Sequence, residues 1–146
     1  MRTDLQGSDG YLTYSDVFAV HPFGNLLVTL SLTGEQIHGL LEQQWLEAQT
    51  ILQVSDGFSY EWDAAAPPGQ RIDSARIRLN GIPLDPQRSY RVTVNDFLAQ
   101  GGDGFTLLKQ AANPVRSVMD VAALESYAST HVPLTAPPAG RIVRQH

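Results

Sequence analysis

Apolar positions recur along the first part of the chain with two different spacings. Residues 26–32 alternate in part between apolar and polar side chains and are rich in β-branched residues, which predicts a strand. From there to Trp45 the apolar residues return every three or four positions, which predicts an amphipathic helix over about residues 34–47. Thr33, followed three residues later by Gln36, has the capping-box pattern that begins a helix.

The rest of the chain is predicted to form hairpins and a second main helix. Asn80-Gly81 is a strong signal for a two-residue turn, because both residues tolerate a positive φ. A short helical turn is predicted with its N-cap at Ser15 and Asp16, and a helix capped by Asp120 is predicted over residues 121–130. Further strands are predicted at 51–54, 58–62, 71–79, 82–84, 90–94 and 141–143. We therefore predict an α+β fold, with a mixed or antiparallel sheet and its hairpins packed against two main helices.

The length, net charge and composition of the chain limit the number of domains and the kinds of partner that it can bind. The 146 residues are enough for one well-packed domain and too few for two ordinary ones, so residues 1–146 are expected to form a single domain. The net charge of −5 argues against a nucleic-acid polymer, because contacts with many phosphates need a concentrated basic surface. No run of about 18 apolar residues predicts a membrane span. The first dozen residues also lack the apolar core of a signal peptide.

The sequence lacks the common motifs of catalytic and metal sites. The chain has no cysteine, which excludes disulfides and thiolate zinc sites, and its four histidines lack the spacing of metal ligands. It has no G-x-S-x-G elbow and no phosphate-binding loop with its lysine. We therefore predict groups for recognition, with no catalytic residue and no metal site in this chain.

Two predicted loops each contain a Phe among residues that are typical of turns. Residues 21–25 (HPFGN) and 95–105 (NDFLAQGGDGF) each place a Phe among Pro, Gly, Asn and Asp. A Phe in such a turn either packs beneath its own loop or meets a flat ligand. Both interpretations stay open on the residues alone, although Phe105 is expected in the core. Trp45 and Trp62 are also expected in the core, and His38 is expected to be a solvated helix residue.

The order of several short motifs resembles the C-terminal domain of the 5′-nucleotidase family, which includes UDP-sugar hydrolases, 2′,3′-cyclic-nucleotide phosphodiesterases and ecto-5′-nucleotidases. The resemblance covers roughly residues 2–110. It is carried, in order, by Tyr14-Ser15-Asp16-Val17, Pro22-Phe23-Gly24-Asn25, Leu32-Thr33-Gly34, Asn80-Gly81, Tyr90, Phe97-Leu98-Ala99 and Gly101-Gly102-Asp103-Gly104-Phe105.

The resemblance implies a role for five residues. In the family, the substrate base stacks between two Phe side chains, which correspond here to Phe23 and Phe97. Asn25 matches the position that binds the base edge, and Asp103 matches the carboxylate that binds ribose hydroxyls. Arg2 resembles an arginine that helps to hold the ribose or phosphate end of the substrate. His21 and Asp96, which border the two Phe residues, depart from the commonest family pattern.

The resemblance also implies a larger parent protein. The expected substrate is a nucleotide or a nucleotide sugar, and the expected partner in the same chain is an N-terminal metallophosphoesterase domain with a dinuclear divalent metal site, which residues 1–146 lack. Location in the periplasm or outside the cell is implied in the same way. Two alternatives remain: a family relative that acts on another substrate, such as a thiosulfohydrolase, in which a base clamp has no purpose, and an interaction domain in which Phe23 and Phe97 are buried and far apart.

Overall fold

The strands of the chain form two separate sheets, with helices packed between and beside them. The computed structural model describes residues 11–47 and 49–146. In chain order the elements are α1 (Tyr14–Val20), β1 (Leu26–Thr33), α2 (Gly34–Glu42), β2 (Phe58–Asp63), β3 (Arg78–Leu79), β4 (Ile82–Pro83), β5 (Ser89–Asn95), α3 (Asp96–Ala99), β6 (Ala112–Met119), α4 (Asp120–Thr130) and β7 (Ile142–Gln145). The predicted α+β class is confirmed.

The first sheet has the strand order β5-β1-β6, and β1 pairs antiparallel with both neighbours. Its register with β5 runs from Leu27 opposite Asn95 to Thr33 opposite Ser89. The second sheet has the order β4-β3-β2-β7, in which β7 is parallel to β2. The predicted C-terminal edge strand is therefore confirmed as β7.

Helix α2 begins where the capping box predicts. The Thr33 hydroxyl accepts a hydrogen bond from the Gln36 backbone N–H at 3.2 Å, and the Gln36 side chain accepts one from the Thr33 N–H at 2.9 Å. The α-helix ends at Glu42 and tightens into a 3₁₀ turn over Gln43–Trp45. This is earlier than the predicted end near residue 47.

The core lies between α2 and the inner faces of the two sheets. Phe105 is completely buried, and Trp45 and Trp62 are buried with their ring centroids 4.9 Å apart, as predicted. The core also contains a fully buried amide. The Gln44 side chain donates to the Leu41 carbonyl at 2.8 Å and accepts from the Leu52 N–H at 2.8 Å and the Tyr60 hydroxyl at 3.0 Å.

Three predictions about helices are wrong in detail. The N-cap of α1 is Thr13, whose hydroxyl accepts from the Asp16 N–H at 3.3 Å, rather than Ser15 or Asp16. Asp120 is the first residue of α4, and Met119 holds the cap position. His38 is half-buried rather than solvated, because its Nε2 lies 2.9 Å from the Ile72 carbonyl oxygen, to which it can donate.

One predicted strand is absent, and another is present only in part. Residues 51–54 form no strand, although Ile51, Leu52 and Val54 pack against the core. Of the predicted strand 71–79, only β3 and a single bridge between Ile72 and Trp62 exist. Strand β6 has no counterpart in the sequence prediction.

Among the helices of residues 11–47 and 49–146, none has the length and the hydropathy that crossing a membrane requires.

Candidate functional site

The register of the first sheet brings the two Phe loops to the same end of it. The turn of residues 21–25 leads directly into β1, and β5 leads directly into α3, which carries Phe97. Because Leu27 pairs with Asn95, the start of β1 lies beside the end of β5. The two loops are therefore neighbours although they are far apart in the chain.

The Phe97 loop is fixed by two side chains at its beginning. The Asn95 side chain caps α3 by accepting from the Leu98 N–H at 2.9 Å. The Asp96 carboxylate accepts from the Leu26 N–H at 3.1 Å, across 70 residues of chain. The second bond ties the Phe97 loop to the first residue of β1. Phe97 itself is 48% exposed.

The glycine segment that follows supports the Phe97 ring. A Cβ at Gly102 would lie only 2.4 Å from Cε1 of Phe97, so the ring lies directly against the glycine backbone. Gly101 has a φ of 84°, and a Cβ there would meet the Lys109 side chain at 2.4 Å. Asp103 adopts a left-handed conformation with a φ of 51°, and its side chain is exposed. The left-handed φ favours glycine at position 101, whereas at position 102 a Cβ would displace the Phe97 ring.

The Phe23 turn is contacted by the beginning of α4. The Asn25 carbonyl accepts from the Asp120 N–H at 2.8 Å. At the other end of the turn, His21 Nδ1 lies 3.8 Å from Asp120 Oδ2. Phe23 is 68% exposed, and Asn25 is half-buried.

The structure thus places four of the five candidate residues. Phe23, Asn25 and Phe97 lie at one end of the first sheet, and Asp103 follows the glycine on which the Phe97 ring rests. Arg2 lies outside the described residues. In the part of the chain that the structure describes, no three histidine or carboxylate side chains are grouped closely enough to hold a metal ion.

Two residues with a role in this arrangement were not recognised as such from the sequence. The sequence indicates only that Asp96 borders Phe97 and that Asp120 caps a helix. Both contact the loops through tertiary hydrogen bonds, for which a single sequence contains no periodic signal. An acidic residue next to an aromatic loop is the only hint that Asp96 offers.

Comparison with known proteins defines the class of domain. The family model for the 5′-nucleotidase C-terminal domain matches residues 1–110. An apyrase of Tabanus yao is 33% identical, over 91% of this chain and 26% of the apyrase. A cell wall protein of Listeria monocytogenes is 34% identical, over 76% of this chain and 14% of that protein.

A solved structure gives the same result. The crystal structure of a 5′-nucleotidase precursor from Thermus thermophilus is 38% identical with a TM-score of 0.81, over 91% of this chain and 28% of the precursor. This chain belongs to the 5′-nucleotidase C-terminal domain family, as the ordered motifs predict. It spans about a quarter of the length of the apyrase and of the Thermus precursor.

Proposed function

We propose that this chain is the nucleoside-binding domain of a 5′-nucleotidase-type hydrolase, and that the base stacks between Phe23 and Phe97. One observation carries the proposal: both rings are exposed, on adjacent loops at the same end of one sheet, which the Asp96–Leu26 hydrogen bond joins. Large exposed aromatic side chains on well-fixed loops favour a flat ligand.

The exposure of the rings argues against the interaction-domain alternative. That alternative expects both rings beneath their own loops, whereas Phe23 is 68% and Phe97 48% exposed. Stacking contributes about 1–3 kcal/mol per base and accepts any base, because every base has a π-face. Two rings therefore suit a domain that serves several nucleotides. A thiosulfohydrolase has no use for such a pair.

The polar candidate residues would orient the bound nucleoside. The Asn25 side chain makes no hydrogen bond to the residues described here, so its amide is available for a base edge beside Phe23. The exposed Asp103 carboxylate would accept two hydrogen bonds from ribose hydroxyls, and charge-assisted bonds of this kind add direction as well as energy. Arg2 is proposed to contact the ribose or phosphate end.

Hydrolysis is assigned to a different part of the parent protein. The relatives are about four times as long as this chain, which supports a two-domain arrangement with an N-terminal metallophosphoesterase domain. A dinuclear divalent metal site in that domain would activate the attacking water. The proposed substrates are nucleotides and nucleotide sugars. Similarity to a cell wall protein supports a location in the periplasm or outside the cell.

The test is an NMR titration of this chain with adenosine, AMP and UDP-glucose. We expect saturable shifts confined to residues 21–25 and 95–105. Phe23→Ala and Phe97→Ala should each weaken binding by about tenfold, since one stacking partner is lost. The matched control is Phe18→Ala, because Phe18 is a 47% exposed Phe on α1 and should leave affinity unchanged. Absence of shifts in the two loops at high millimolar ligand would contradict the proposal.

The intact parent enzyme offers a second readout. Either Phe→Ala change should raise KM for nucleotides with the fold retained, because binding is lost while the metal chemistry is untouched. If either change unfolds the domain instead, that Phe belongs to the core and the clamp is wrong.

A further inference from the structure

Asp120 is a buried carboxylate at the base of the Phe23 turn. Its side chain is only 8% exposed. Oδ1 accepts from the Val121 N–H at 2.7 Å, but Oδ2 is buried without a hydrogen bond from any residue of the described chain. Burying such an oxygen is costly unless a charge or a donor lies nearby. His21 Nδ1 lies 3.8 Å from this oxygen and forms an ion pair with it only when the imidazole is protonated.

The same residue contacts both ends of the turn. Its side chain faces His21, the first residue of the turn, and its backbone N–H donates to the carbonyl of Asn25, the last one. His21 is in turn fixed to α1, because its N–H donates to the Val17 carbonyl at 3.0 Å. The buried side chains Val17 and Val121 lie on the two helices that meet here, α1 and α4.

The middle of the turn has little packing of its own. Phe23 is largely exposed, and a Cβ at Gly24 would meet nothing within 4 Å. The direction in which Phe23 points therefore depends on how the two ends of the turn are held. Asp120 contacts both ends, with its side chain at His21 and with its backbone N–H at Asn25.

We infer that His21 and Asp120 form a positioning pair that sets the place of the Phe23 ring and thereby the affinity for the nucleoside base. The inference rests on the proposed function, since it concerns the same site. Neither residue is assigned a contact with the ligand.

The test compares His21→Gln and Asp120→Asn with the control His131→Gln. His131 is an exposed histidine at the opposite end of α4. Adenosine affinity is measured by NMR titration and stability by thermal unfolding. Each variant of the pair should weaken adenosine binding by about 3- to 10-fold, and the double variant should be no weaker than the single ones, because both remove the same interaction. His131→Gln should leave affinity unchanged.

Two further readouts separate positioning from general stability. The ¹⁵N order parameter of the Gly24 amide should fall from about 0.85 toward 0.6 in either variant of the pair, since the side-chain contact between Asp120 and the first residue of the turn is lost. In a Phe23→Ala background, His21→Gln should cause little further loss of affinity, because no ring is left to place.

The outcomes distinguish the two proposals. If Phe23→Ala weakens adenosine binding and His21→Gln does not, the positioning inference is overturned and the proposed function stands. If Phe23→Ala itself has no effect, the proposed function fails. Equal losses from His21→Gln with and without Phe23 would show that His21 acts by another route, which also overturns the inference.

Discussion

Gly102 lies beneath the Phe97 ring, so alanine at this position tests whether the placement of that ring matters for binding. A Cβ would lie 2.4 Å from Cε1 and 2.6 Å from Cδ1 of Phe97. Carbon atoms in contact are about 3.5–4.0 Å apart, so the ring has to move by about 1 Å or more. The φ of Gly102 is outside the left-handed region, which means that alanine itself is compatible with the backbone.

The expected losses differ between binding and stability. A stacked aromatic partner contributes about 1–3 kcal/mol per base, which corresponds to about 5- to 150-fold in Kd. We therefore expect Gly102→Ala to weaken adenosine binding by about fivefold or more. Stability should change by less than about 1 kcal/mol, because the entropy that alanine removes from the unfolded chain offsets the lost contact of a half-exposed ring.

The assay is adenosine titration together with urea unfolding. Gly39→Ala is the matched control, because Gly39 lies in α2 and a Cβ there would lie 3.0 Å from Leu107 Cδ1 and would contact neither Phe ring. The control should keep its adenosine affinity. A folded Gly102→Ala variant with shifted Phe97 resonances and unchanged affinity would refute the stacking role of Phe97.

Three further changes test other parts of the molecule. Asp103→Asn should weaken adenosine more than 2′,3′-dideoxyadenosine in the same titration, and equal losses would remove Asp103 from the sugar site. Gln44→Leu should lower the free energy of unfolding, measured in urea, by about 2–5 kcal/mol, because the buried Leu52 N–H and Tyr60 hydroxyl lose their acceptor. The control Gln53→Leu, at an exposed site, should not lower it. Burial raises the pKa of Tyr60 above its ordinary value of 10.0. This group therefore favours folding below about pH 10, and the benefit is lost as the pH rises through the folded-state pKa. Tyr60→Phe should make the alkaline fall in stability shallower, and an unchanged slope would contradict this.

The elements that the sequence predicts correctly have signals within a few residues. The capping box at Thr33 involves only Gln36, and the Asn80-Gly81 turn places both residues at positive φ, 52° and 78°, between β3 and β4. Strands β1, β2 and β5 follow alternation or β-branched content. Such signals depend on local chemistry, and tertiary contacts do not need to be known.

Strand β6 shows what local signals cannot reveal. All eight of its residues are exposed, and it contains Pro114, which disfavours a strand assignment. It exists because β1 offers a free edge on the side opposite β5. The wrong strand at 51–54 is the reverse case, since its apolar residues cover the core without entering a ladder.

The candidate site likewise contains some residues that the sequence can predict and others that it cannot. The Phe residues could be found because an aromatic residue among turn formers is unusual in sequence. The groups that hold the loops could not be found, because Asp96 bonds to Leu26 and Asp120 to Asn25, pairs that only the fold brings together.

Strand β1 is attached to both Phe loops. Its first residue donates its N–H to Asp96, its second pairs with Asn95, and the residue before it is held by Asp120. The inward side chains of the same strand, Val28, Leu30 and Leu32, are buried in the core. A site built from the end of a core strand keeps its spacing better than one built on loops alone. The relative position of the two loops thus depends on the β1–β5 register, and a slip of one residue would shift Asn95 by about 3.3 Å along β1 and reverse its face.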